Sequence, residues 1–231
     1  MEYENVLKKL KSMSDSKAVE GMARYGINPI NNLGVSVYKL RKIAKEIGTD
    51  HKLALQMWNS GIHDMKLLAC FIDDPKKVTN DQMDNWVLDF DSWDICDQAC
   101  TSLFDLTPYA WDKIFQWASS DMEFIKRAAF SLIAGLSVHD KNTDDDMFTR
   151  FFPLIITNSI DERNYVKKSV NWALRNIGKR SLYLNKKAIE ISNQIRRIDS
   201  KSARWISADA LRELKSEKVK NRLIEKEKKR K

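Results

Sequence analysis

An all-helical fold of stacked antiparallel helix pairs is what this sequence predicts, on three observations. Its 231 residues include only 7 glycines and 4 prolines, and alternating stretches rich in valine or threonine are nearly absent, so strands have little to be built from. Apolar residues recur instead at three- and four-residue steps, which places them on one stripe of a helix. Finally, similar helical segments return at a regular interval. Phe124-Ile125-Lys126-Arg127 lies 41 positions before Tyr165-Val166-Lys167-Lys168, and Trp172-Ala173-Leu174-Arg175 lies 37 before Asp209-Ala210-Leu211-Arg212. Such a period belongs to helical-pair repeats, in which each hairpin buries its apolar face only by stacking on its neighbours. The expected architecture is all-α, an α-solenoid of HEAT-like antiparallel helical pairs. It forms one repeat domain over residues 1–215, followed by a basic extension over residues 216–231.

The elements follow in order. Residues 6–13 put Val6, Leu7, Leu10 and Met13 on one stripe and give way at Ser14-Asp15-Ser16, with a short second helix towards Met22. Residues 25–34 hold two glycines, a proline and three asparagines and form a loop. Residues 35–47 restart a helix with Leu40, Ile43, Ala44 and Ile47 inward and Lys39, Arg41, Lys42 and Lys45 outward, ended by Gly48 as a C-cap. Residues 53–58 and 65–72 pair across Ser60-Gly61 and stop at Asp73-Asp74-Pro75; Thr79 caps the helix that carries Trp86. The next helix carries the acid-rich run Asp91-Ser92-Trp93-Asp94-Ile95-Cys96-Asp97-Gln98. Three further pairs join residues 109–117 to 123–134, 144–158 to 163–175, and 185–197 to 202–212.

Composition bounds the rest. With 43% hydrophobic and 31% charged residues the chain can bury a core and is not disordered as a whole. No apolar run reaches the roughly 18 residues of a membrane span, and no cationic segment leads into an apolar one at the start, so the expectation is a cytoplasmic protein with no membrane partner. Cys70, Cys96 and Cys100 lack Cys-x-x-Cys spacing and His51, His63 and His139 are scattered, which suits reduced core thiols better than disulfides or a metal site. A solenoid of this length needs no second chain to complete its core, so a monomer is expected. Residues 196–231 hold 14 lysines or arginines against 6 carboxylates, a difference equal to the entire net charge of +8. A basic end on a neutral body is an electrostatic footprint for a polyanion, although the last seven residues alone fit a solvated, helix-ending tail. The inner helices of the solenoid would place Lys126, Arg127, Lys167, Lys168, Arg175 and Arg204 along a concave surface wide enough for a nucleic-acid backbone.

Trp93 and Asp97 are four apart on their helix and share a face, so an indole and a carboxylate can address one cationic group together. Taken alone the pattern has plainer readings. Trp93 and Trp172 fit core aromatics, and Asp97 fits a salt bridge to Arg127. Asp91 and Asp94 compete with Asp97 for any catalytic role, and Lys167 and Lys168 fit a solvated face.

The succession Leu33-Gly34-Val35, Lys39-Leu40-Arg41, Trp93-Asp94-Ile95-Cys96-Asp97, Lys126-Arg127-Ala128-Ala129, Tyr165-Val166-Lys167-Lys168 and Trp172-Ala173-Leu174-Arg175 resembles the DNA alkylation repair family of HEAT-like DNA glycosylases. The resemblance implies that Asp97 is the catalytic carboxylate, that Trp93 and Trp172 flank the lesion, and that Arg127 holds a phosphate. It implies hydrolysis of the N-glycosidic bond of N3- and N7-alkylated purines in double-stranded DNA, as in base-excision repair, without metal or organic cofactor. Ser92 stands where many members carry an aromatic residue, and Cys96 and Gln98 also depart from the pattern. The family includes paralogues that bind unusual DNA without excising bases, so a non-catalytic binder of branched or damaged DNA is the second expectation. A solenoid that holds a peptide is the third.

Overall fold

The computed structural model describes residues 2–229, and every regular element among them is helical. Contacts divide the chain into two compact units, Met1–Ala110 and Trp111–Lys231.

The first unit holds α1 (Tyr3–Lys11), α2 (Ser16–Arg24), α3 (Val37–Ile47), α4 (His51–Asn59), α5 (His63–Ile72), α6 (Asn80–Leu88) and α7 (Trp93–Ser102), then a 3-10 turn at Phe104–Leu106. Asp15, Ser36, Asp50 and Thr79 each accept the N–H three residues on, which starts α2, α3, α4 and α6 and contributes about 1 kcal/mol apiece. Gly48, at φ 76°, ends α3 as the sequence predicts. α5 packs against α3, α4 and α7, which is why it buries all but two of its ten residues. Trp58 of α4 stacks on Trp86 of α6 with centroids 3.9 Å apart, so these two indoles belong to the core. The three cysteines are buried free thiols. The irregular loop expected over residues 25–34 is present, and it closes against α5. Asp64 accepts the N–H groups of Leu33 (2.6 Å) and Val35 (2.8 Å). Gly34 has φ 76°, and a Cβ there would lie 2.4 Å from the carbonyl oxygen of Asp15, so the position excludes a side chain.

The second unit begins within α8 (Ala110–Trp117) and continues with α9 (Glu123–His139), α10 (Asp145–Phe148), a 3-10 turn at Thr149–Phe151, α11 (Phe152–Asn158), α12 (Asn164–Gly178), α13 (Leu182–Ile195), α14 (Lys201–Leu214) and α15 (Glu217–Lys228). α12 packs on α9 and on α14, with α13 covering α12 and α14. Side-chain bonds between these second helices span 38 to 42 residues, one repeat: Arg127 Nη1 to Tyr165 O, Asn171 Nδ2 to Asp209 Oδ2, and Asn176 Nδ2 to Ala134 O. The helix expected over residues 144–158 is instead three short pieces, because Pro153 sits in the first turn of α11 and cannot supply an N–H to a continuous helix. The expected extension over residues 216–231 contains α15, which is N-capped by Ser216 and buries Val219 and Leu223 where it packs on α13 and α14. Arg230 and Lys231, the end of the expected solvated tail, lie outside the described residues.

Candidate nucleic-acid interface

In the first unit α7 begins at Trp93, and Trp93 and Asp97 are both half-buried on it. The indole is held from outside its helix: Nε1 donates to the carbonyl oxygen of Tyr25 at 3.0 Å. The loop is tied to the same place twice more, since Ser92 Oγ accepts the N–H of Asn28 (2.9 Å) and Asp91 Oδ2 accepts Asn28 Nδ2 (2.7 Å). Asp94, which is buried, is engaged by His63 Nε2 at 2.9 Å. The three acids of the run are thus divided. Asp91 fastens the loop, Asp94 meets a core histidine, and Asp97 shares the half-buried face with Trp93. On the next turn Arg41 Nη2 of α3 donates to Gln98 Oε1 (2.8 Å) and Ser102 Oγ (3.3 Å), with its guanidinium 4.3 Å from the Phe71 ring centroid, which steadies α7 against α3. Burial pushes the thiol of Cys100 well above its ordinary range, with Cys96 and then the charge of Asp97 adding to the shift. It is therefore a neutral, unreactive group.

In the second unit the expected phosphate-binding residues differ in availability. Lys168 and Arg204 are exposed, Arg204 with Asp199 at 2.9 Å. Lys167 is half-buried with its ammonium 5.7 Å from the ring centroid of Trp205, within cation–π range. Lys126 pairs with Asp161 at 3.4 Å. Arg175 pairs with Glu213 (2.5 Å) and Asp209 (3.5 Å). Arg127 departs furthest from a basic surface: it is only 6% exposed and donates to Tyr165 O at 2.7 Å. The placement of all six along an open surface is corrected accordingly, since Arg127 lies in the packing between α9 and α12. Trp172 is half-buried on α12. Trp93 and Asp97 belong to the first unit, and Trp172, Arg127 and the other cations belong to the second.

Burial raises the carboxyl of Glu213, but its hydrogen bond to Lys179 and the charges of Lys179 and Arg175 outweigh that and hold it below its ordinary value. Asp161 is likewise held low, burial being outweighed by Arg163 and Lys126. Sequence reasoning missed three features. Trp205 is exposed, and its position off the stripe of Ala203, Ile206 and Ala210 was the signal for it. Phe124 stacks on Tyr165 at 5.4 Å across the repeat. The carbonyl of Tyr25 anchors Trp93, a contact for which no local pattern exists.

A profile of the family described as DNA alkylation repair enzyme matches residues 6–214, and α15 lies wholly beyond that match. Among solved structures, the chain is similar to one from a family described as related to the HEAT-like repeat DNA glycosylases, with affinity for branched DNA structures. The two are 19% identical over 92% of this chain and 95% of that one, with a TM-score of 0.75, so they share a fold. A designed armadillo repeat protein in complex with the peptide (KR)4 is 12% identical over 80% and 79% of the two chains, with a TM-score of 0.39. No curated protein matches the chain.

Proposed function

The chain belongs to the DNA alkylation repair enzyme family, and from that premise we propose that it is a monofunctional DNA glycosylase for cationic N3- and N7-alkylated purines, with Asp97 as its catalytic carboxylate. The observation that carries this is the geometry at the start of α7: Trp93 and Asp97 stand one turn apart on its half-buried face, and the indole is fixed by the carbonyl oxygen of Tyr25.

Alkylation of a purine ring nitrogen makes the base a cation, so it leaves with the bonding electron pair as a neutral molecule and needs no strong general acid. Positive charge then develops on the sugar. The Asp97 carboxylate stabilises that charge and orients a water, whose oxygen bonds to the anomeric carbon and whose proton passes to solvent. Trp93, with its plane fixed by Tyr25 O, attracts the cationic base by about 0.5 to 2 kcal/mol, and Trp172 is proposed as a second such indole. Lys167, Lys168 and Arg204 are assigned to backbone phosphates, which position the nucleotide without reading sequence. Lys126, Arg175 and Arg127 are assigned to phosphates as well, each exchanging a bond of the free protein, to Asp161, Glu213 and Tyr165 O respectively, for one to the backbone. The reaction uses one copy of the chain and neither metal nor organic cofactor.

Incubation with methylated duplex DNA should release 3-methyladenine or 7-methylguanine. Asp97→Asn should lower single-turnover release by about 100-fold or more, the usual cost of one electrostatic stabiliser, while retaining affinity for undamaged duplex. Release by the wild type no faster than the spontaneous rate rejects the proposal. A second reading, favoured by the engagement of Arg127 with Tyr165 O, is a non-catalytic binder of branched DNA. It calls for tighter binding to a four-way junction than to duplex, with no base released.

A further inference from the structure

We propose that the cleft between α15 and the C-terminal ends of α9 and α12 is a second phosphate-holding surface, which grips the DNA backbone away from the reacting base. The inference rests on the DNA-binding part of the function proposed above. The cleft, about 520 Å³ in volume, is lined by Lys141, Lys179, Arg222, Lys226 and Lys229, with Glu225 as its one carboxylate among the described residues.

The plain alternative is that these cations serve only to satisfy helix ends. Lys141 donates to Val138 O, Arg222 to Lys179 O (3.4 Å) and Lys226 to Arg180 O (2.6 Å), and Lys179 is shared with Glu213 (2.7 Å). Charge decides between the two. With Lys226 set aside because it is engaged at Arg180 O, Lys141, Lys179, Arg222 and Lys229 face Glu225 and the C-terminal ends of α9, α12 and α15, each about half a negative charge; Glu213 is already shared with Arg175, so about one to two positive charges remain in excess. The cleft also lacks what a small-molecule site would need. Among the described residues no aromatic ring lines it and its apolar lining is the exposed Val138, so a base has nothing to stack on and a metabolite no dry floor. Arg222, Lys226 and Lys229, at steps of four and three on α15, run along one flank for about 10 Å. That reach covers two or three successive phosphates of one strand. α15 supplies these three cations from beyond the residues that match the family.

The test is fluorescence anisotropy with an undamaged duplex across a NaCl series, using Lys141→Gln/Arg222→Gln/Lys229→Gln, which spares the half-buried Lys226. Each phosphate contact contributes about 0.9 to the slope of log affinity against log salt. The variant should therefore lose about 2 to 3 of that slope, and tenfold or more in affinity at low salt, while base release at saturating DNA is unchanged. Lys141→Arg/Arg222→Lys/Lys229→Arg should restore the slope. Lys17→Gln/Lys76→Gln/Lys77→Gln, an equal change of charge in the first unit, should leave it near wild type. A neutralised variant with the wild-type slope, or a first-unit control that falls as far, overturns the inference while leaving the glycosylase reading intact. If the slope falls as expected but the wild type releases no base, the inference stands and the glycosylase reading falls. Absence of wild-type DNA binding at low salt defeats both. Loss of binding to anionic phosphatidylserine vesicles with DNA binding unaltered assigns the cleft to a membrane and overturns it.

Discussion

Asp64→Asn should loosen the loop that holds Trp93, and its cost can be worked from the geometry. The carboxylate of Asp64 is 1% exposed and receives the N–H groups of Leu33 and Val35 at 2.6 and 2.8 Å. Hydrogen bonds to a charged group contribute about 1.5 to 3 kcal/mol each. Asparagine keeps the shape but turns an amide N–H towards one of the two donors, so one bond is lost and a buried N–H is left without an acceptor. The expected destabilisation is about 2 to 3 kcal/mol. With a urea dependence of about 2 kcal/mol per molar, the midpoint of unfolding, followed by near-ultraviolet circular dichroism, should fall by roughly 1 to 1.5 M. Asp81→Asn, on an exposed residue in the first turn of α6, should move it within about 0.5 kcal/mol of zero. Because a carbonyl of the same loop, Tyr25 O, accepts the indole N–H of Trp93, base release by Asp64→Asn under native conditions should fall more than affinity for undamaged duplex. A midpoint within about 0.2 M of wild type would refute the account of the loop. A large midpoint shift with undiminished base release would show that the loop does not orient Trp93.

Two further outcomes test the second unit. Gly178→Ala should lower the melting temperature by a few degrees, because the new Cβ would sit 2.6 Å from Leu214 Cδ2 and 2.9 Å from the Ala188 Cβ. Overpacking of about 1 to 3 kcal/mol exceeds the gain of about 1 kcal/mol in helix propensity, which alone predicts the opposite sign. Glu213, whose folded carboxyl is held below its ordinary 4.5, stabilises the protein above that value and loses its contribution as pH falls through the lower folded value. Glu213→Gln should therefore cost about 1 kcal/mol at pH 7, after solvent screening, and progressively less as the pH drops below 4.5, measured by urea titration at each pH.

The helix pairs and some of their ends were legible because they are written locally. Thr79 and Gly48 mark helix ends by their own chemistry, and the stripe of α3 follows from spacing alone, whereas its start is set by Ser36, two residues later than spacing suggests. α15 was not, since its burial rests on Val219 and Leu223 within a run otherwise dominated by charge. Arg127 misled for a different reason. On α9 it lies opposite Ile125, Ala128 and Leu132, which on a surface helix would face solvent. But α9 is buried on nearly every side from Ile125 to Ser137, with α12 covering the flank that carries Arg127. A helix enclosed all round has no outward face for periodicity to reveal.

The acids near α7 pose the same problem more sharply. Local spacing pairs Asp97 with Trp93, since four residues advance a helix by little more than one turn, but it cannot remove Asp91 and Asp94 from contention. Their own partners are distant in sequence: Asn28, 63 residues before Asp91, and His63, 31 residues before Asp94. The loop that brings Asn28 also brings the carbonyl of Tyr25, 68 residues from Trp93. One segment therefore engages Asp91 and fixes the indole beside Asp97. Gly34 and Asp64, which hold that segment to α5 and α2, are in this sense positioning residues for the chemistry proposed for Asp97, which neither touches.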